Sequence, residues 1–149
     1  NDARPLQLAD ALDLCAGRYL SQRQGRLSPG GVSGDEPAAR ELFQTAIRYA
    51  EESHYIQVKG KAIGGLAELD RQQQQWLSAL ALHEEAIGLL EGIAAQCDLA
   101  EAYLQQGLTY RAMEDDGLAR GARDRAFKLF EGIGANLQLN RVNDLWHTE

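Results

Sequence analysis

Cysteine is scarce. Cys15 and Cys97 are the two in the chain, far apart and without C-x-x-C spacing. Both read as small buried thiols of a reducing compartment, with a single bridge between them as the alternative. Histidine is also sparse: His54, His83 and His147 fall in different segments, no His-x3-His pair occurs, and no metal or other cofactor is expected. No apolar run reaches the length needed to span a bilayer, so no membrane insertion is expected. The chain opens at Asn1 with no basic, apolar leader, which reads as a cytoplasmic protein, and the absence of an initiator Met suggests a processed or excised fragment. Basic residues are outnumbered: a net charge of −7 and a pI near 5.0 disfavour direct nucleic-acid binding. Period-two alternation long enough for a strand is missing throughout.

What the sequence does contain is a repeat. Ala79–Ala95 and Ala119–Ala135 match at seven of seventeen positions, including Leu89/Leu129, Glu91/Glu131, Gly92/Gly132 and Ile93/Ile133. A fainter copy lies forty residues earlier still, where Ala39, Ala46, Ile47 and Glu51 match Ala79, Ala86, Ile87 and Glu91. A fixed period of this size means stacked units that bury their apolar faces against one another.

Within the repeat, apolar residues recur at steps of three and four, the period of an amphipathic helix. The spacing predicts helices over 6–24, 38–53, 55–71, 76–92, 98–113, 118–132 and 135–147. Arg26–Glu36 is rich in Pro, Gly and Ser and reads as loop, with Asp35 as an N-cap. Gln72–Gln75 and Glu114–Gly117 read as short connectors, the second with Asp115 or Asp116 capping the next helix. Gly60, Gly64 and Gly65 weaken their helix locally and point to close approach of a neighbour. The expected fold is all-α: three helical hairpins over about 6–53, 55–95 and 96–134, closed by a capping helix over 135–147, in one domain spanning 1–149.

Tyr103-x2-Gln106-Gly107-x2-Tyr110, with Ala119 and Ala126 after it, resembles the tetratricopeptide repeat. In that pattern Gly107 and Ala119 mark where the two helices of a hairpin come closest. Gln106 and Arg123 depart from the usual Leu and Phe, and a period of 40 exceeds the common 34. The longer period is similar to the tetratricopeptide units of bacterial signalling proteins, and a HEAT-type repeat has a compatible length. The resemblance implies a right-handed superhelix, an α-solenoid whose concave face is lined by the first helix of each pair. On that alignment the face carries Lys61, Gly64, Glu68 and Arg71, then Glu101, Leu104, Leu108 and Arg111.

The function expected on these grounds is a non-enzymatic scaffold that binds a protein or peptide partner, with Arg71, Leu104, Leu108 and Arg111 as contacts. Leu104 and Leu108 have a rival role, packing against the last helix. The alternative function is a sensor or regulatory repeat segment of a larger bacterial signalling or transcription-regulating protein. Self-association through exposed repeat ends is a further expectation. Competing chemistry is weak. Ser28–Gly34 is glycine-rich but is followed by Asp35-Glu36, which repel phosphate. Glu84-Glu85 read as a solvated face, and Arg120, Arg123, Arg125 and Lys128 as a basic side that balances nearby aspartates.

Overall fold

A computed structural model describes residues 35–147. The expected helix over 6–24 and the loop up to residue 34 lie outside that range. Six helices follow one another: α1 Asp35–Ser53, α2 Ile56–Gln72, α3 Trp76–Gly92, α4 Gln96–Ala112, α5 Asp116–Gly132 and α6 Asn136–His147. No strand occurs among the described residues. Asp35 and Glu36, read as loop from their composition, belong to α1; α4 and α5 each start two residues earlier than the apolar spacing suggests. Polar first turns carry no apolar periodicity, which is why the spacing missed them.

The connections set the geometry. His54, Gln74, Ala94, Glu114 and Gly134 all have positive φ, between 56° and 70°, and stand twenty residues apart. Each is the left-handed residue that ends a helix. The next amide reaches back to close the turn: Tyr55 to the Ala50 carbonyl, Gln75 to Asp70, Ala95 to Leu90, Asp115 to Tyr110 and Ala135 to Phe130, at 2.8–3.2 Å. This is the Schellman arrangement, repeated five times. Only Gly134 has the residue type that makes left-handed backbone easy; the other four accept a cost of roughly 1–2 kcal/mol each. Asp115 caps α5, accepting from the Leu118 amide at 3.2 Å.

Turns of two or three residues reverse the chain, so consecutive helices pack antiparallel. Small residues at equivalent positions let them approach. Ala39, Ala79 and Ala119 are buried, as are Ala46, Ala86 and Ala126. Glycine does the same from the facing helices. A Cβ on Gly65 would strike the Phe43 ring, and one on Gly60 would lie 2.9 Å from Leu90. At Gly107 it would stand 3.2 Å from both the Ala119 carbonyl and the Trp146 ring. The expected close point of the α4–α5 hairpin is therefore present, with Trp146 of α6 as a third party to it. Gly64 differs, with open space on its Cβ side.

The core runs along the stack. Phe43, Ala46, Val58, Leu66 and Leu69 join α1 to α2. Ile87, Leu90, Leu99 and Ala102 join α3 to α4. Leu104, Ala126, Phe130 and Val142 join α4, α5 and α6. Each helix packs mainly on its neighbours in sequence, and α2 also touches α4. That is the packing of a helical repeat. Cys97 is a free, exposed thiol at the start of α4, where the sequence suggested burial; Cys15 lies outside the described residues. No described helix is long and apolar enough to cross a membrane.

Two outcomes test this packing. Ala94→Gly relieves a left-handed alanine and should stabilise the fold by about 1 kcal/mol, raising the melting temperature by about 2–4 °C. Gly64→Ala should likewise stabilise by about 0.5–1 kcal/mol, whereas Gly65→Ala, displacing Phe43, should destabilise by about 1–3 kcal/mol. Equal effects of the two alanines in thermal unfolding would contradict the packing described for α1 and α2.

Candidate functional site

The first helices of successive units, α2, α4 and α6, run side by side in the same direction. Long side chains tie them together. Arg71, in the last turn of α2, donates from Nη1 to the Gln105 carbonyl at 3.1 Å and to Gln105 Oε1 at 3.0 Å. Forty residues on, Arg111 donates from Nη1 to the Leu145 carbonyl at 2.9 Å. The two bonds are copies of one another: each arginine reaches a backbone oxygen thirty-four residues ahead. Arg111 also lies over the Trp146 ring, 4.6 Å from its centroid, with Arg123 at 5.6 Å. A guanidinium suits this task because it carries several donors in a fixed plane and stays charged when buried.

A second set of bonds crosses between the same helices nearer the surface. Arg141 of α6 grips Glu101 of α4 at 2.6 and 2.9 Å, and Gln105 Nε2 donates to the same carboxylate at 2.7 Å. Gln57 of α2 donates to Asp98 of α4 at 2.6 Å. Beside these bonds lies a cavity of about 480 Å³, walled by Lys61, Gly64, Glu68, Glu101, Gln105 and Arg141 and backed by Phe43 and Phe130. Its volume is in the range of sites that hold small ligands or a few peptide side chains.

Burial and charge tune the groups that line it. Glu68 is pushed up to about 7, first by burial, against the pull of Arg71 and with Glu101 adding repulsion. Burial also works to raise Glu101, but the bonds and charge of Arg141 outweigh it and hold that carboxyl below its usual value. His83, buried on α3, is pushed down to about 3 by burial and by the field of Arg71. Its Nε2 lies 2.8 Å from Thr109 Oγ1. The Thr109 hydroxyl donates to the Gln105 carbonyl at 3.2 Å, leaving its oxygen to accept from the neutral imidazole. Elsewhere, Ser78 donates to Asp70, whose other oxygen pairs with Arg40 at 3.0 Å. This polar node joins α1, α2 and α3. No group of three or more His, Cys, Asp or Glu residues placed to hold a metal occurs among the described residues.

The four residues singled out from the sequence are placed as follows. Leu104 is fully buried, among Ala126, Phe130 and Val142, so its role is packing against α5 and the last helix rather than contact with a partner. Leu108 is half-buried and does not line the cavity. Arg71 and Arg111 sit on neighbouring ridges, as their forty-residue spacing requires, but both reach into the protein to join one unit to the next. Lys61, Gly64, Glu68 and Glu101, expected on the concave face, do line the cavity. Gln105 and Arg141 were missed. A signal existed for Arg141, which stands at the repeat position of Lys61 and Glu101. Nothing in the sequence marks Gln105, because its role depends on which neighbours α4 has on either side. Of the basic residues on α5, Arg123 lies over Trp146 and Arg125 over Tyr103, at 5.8 Å. Comparison of the chain with protein-family models, curated proteins and solved structures finds no match.

The two shifted groups act on stability in opposite senses. His83 has a folded value below its unfolded one, so its contribution is complete above about pH 6.5 and is lost as pH falls toward 3. Glu68 has a folded value above its unfolded one, so the folded state is penalised as pH rises from about 4.5 through 7. Glu68→Gln should therefore stabilise the protein at pH 8 by about 1–2 kcal/mol, the full shift being reduced by partial solvent exposure, and by much less at pH 5. Urea unfolding of both proteins at the two pH values measures this; the same difference at both would contradict the placement of Glu68.

Proposed function

We propose that the chain is a binding module for a peptide or an extended protein segment, received in the groove along α2, α4 and α6. The observation that carries this reading is the cavity of about 480 Å³, whose lining draws mostly on α2, α4 and α6. Such a face is where stacked hairpins offer a continuous surface. The same reading takes the hairpins as tetratricopeptide-like units that continue into a right-handed superhelix. The forty-residue echo supports it, as do the identical arginine bonds of Arg71 and Arg111.

Binding fits the groove's chemistry better than catalysis does. A general base needs a value near the working pH and a reacting group to serve. His83 is held neutral, far below that range, and its Nε2 is occupied by Thr109; Glu68, near 7, is hydrogen-bonded to no nucleophile among the described residues. The Ser78 hydroxyl is bound to a carboxylate that is itself paired. The polar groups join one helix to the next, giving the rigid, preorganised wall that lowers the cost of binding.

Gly64 provides the test. It lines the cavity, and open space surrounds its Cβ position, so a large side chain there fills the groove without disturbing the core. Peptides selected from a displayed library on the native chain should bind Gly64→Trp at least about tenfold more weakly, a loss of roughly 1.4 kcal/mol, while its melting temperature stays at or above the native value. Selected peptides that bind both proteins equally would refute the groove as the site.

A further inference from the structure

Most of the charge around the groove is already neutralised from within. Arg141 and Gln105 occupy both oxygens of Glu101. Gln57 serves Asp98, and Lys61 has a partner of its own. Arg71, the cation nearest in sequence to Glu68, is turned toward Gln105. Glu68 stands apart. Its carboxylate lies half-buried on the cavity wall, and no side chain or amide among the described residues donates a hydrogen bond to it. A carboxylate partly withdrawn from water and without a donor gains from a cation supplied from outside.

We propose that the groove takes a basic peptide segment, with one arginine or lysine side chain set against Glu68. This rests on the reading of the chain as a peptide-binding module and adds the chemistry of the partner. Charge complementarity favours it at two scales. Locally, an incoming cation meets Lys61 and Arg71 on α2, neutral His83 on α3, Asp98 and Glu101 on α4, and Arg141 on α6. Arg141 is bound to Glu101 and Arg71 to Gln105, both act on Glu68 only through space, and Glu68 is left as the carboxylate without a donor; α1 and α5 add only uncharged rings to the wall. Globally, the chain's net charge of −7 draws basic segments and speeds their encounter. The sequence alone singled out Arg71 and Arg111 as partner contacts, but both guanidiniums are bound to the backbone of the next unit.

The pairing is pH-dependent. Glu68 changes charge near pH 7, while His83 stays neutral and Glu101 stays ionised between pH 8 and 5.5. A cation should therefore be preferred at pH 8 and lose its advantage at pH 5.5.

The experiment titrates the full chain with three blocked peptides, Ala-Ala-Leu-Ala-X-Ala-Leu-Ala-Ala, where X is arginine, its neutral near-isostere citrulline, or glutamate. Calorimetry at pH 8 should show the arginine peptide binding at least about tenfold tighter than the citrulline peptide, with the glutamate peptide weakest. At pH 5.5 the arginine and citrulline peptides should agree within about twofold as Glu68 takes up its proton. Glu68→Gln should abolish the preference at pH 8, and Glu84→Gln, the same charge change on the exposed face of α3, should leave it intact. Equal binding of arginine and citrulline peptides at pH 8 overturns the proposal. So does an equal loss in the two variants, which would assign the preference to diffuse charge, or an absence of binding by all three peptides. None of these results refutes the groove itself, whose own test is the response of selected peptides to Gly64→Trp.

Discussion

The left-handed residue that closes each helix is the constraint from which the rest of the architecture follows. It recurs at His54, Gln74, Ala94, Glu114 and Gly134, and from α2 to α5 three turn residues separate helices of seventeen. An equal interval has a mechanical consequence. Helices of one length, joined by one turn, bring the same positions into register each time the chain reverses. Alanines at 39, 79 and 119 then fall at one contact, and those at 46, 86 and 126 at another. Four of the five turn positions lack glycine, so packing on both sides, rather than local preference, enforces the turn.

Register carries through to the groove. Because α2, α4 and α6 start at equal intervals, a single side-chain position can serve the same purpose twice. Arg71 and Arg111 do so, each fixing a carbonyl of the next parallel helix. These bonds and the Arg141–Glu101 pair lie between successive parallel helices. The groove wall is thus polar and internally satisfied, while the apolar core lies behind it, between α1, α3, α5 and the inner faces of the first helices. Glu68 is the place where that satisfaction is incomplete, and the burial that raises its value to about 7 also makes it responsive near neutral pH.

Much of this was legible in the residues. The helix count over the described range, the shortness of the connectors and the close approach at Gly107 follow from apolar spacing, Gly placement and the forty-residue echo. The direction of individual side chains did not follow. Leu104 and Gly64 occupy the same repeat position, yet one is buried in the core and the other borders open space. Alignment by repeat therefore could not tell core from groove at that position. Arg71 and Arg111 looked like surface anchors because long basic side chains usually are; that their reach ends on a backbone oxygen depends on the spacing of parallel helices, which no single helix encodes. His83 was read only for metal spacing. Its burial against Thr109 comes from the contact of α3 with α4, a relation between units rather than within one.

The central claim is that a partner meets this chain along α2, α4 and α6, and amide-resolved NMR of the full chain during titration with a library-selected peptide tests it most directly. The account predicts that the largest shift changes fall at Lys61, Gly64, Glu68, Glu101, Gln105 and Arg141, with the outward residues of α3 and α5, such as Leu77, Glu84 and Leu118, unmoved. Changes concentrated on those outward residues, with the groove silent, would contradict it.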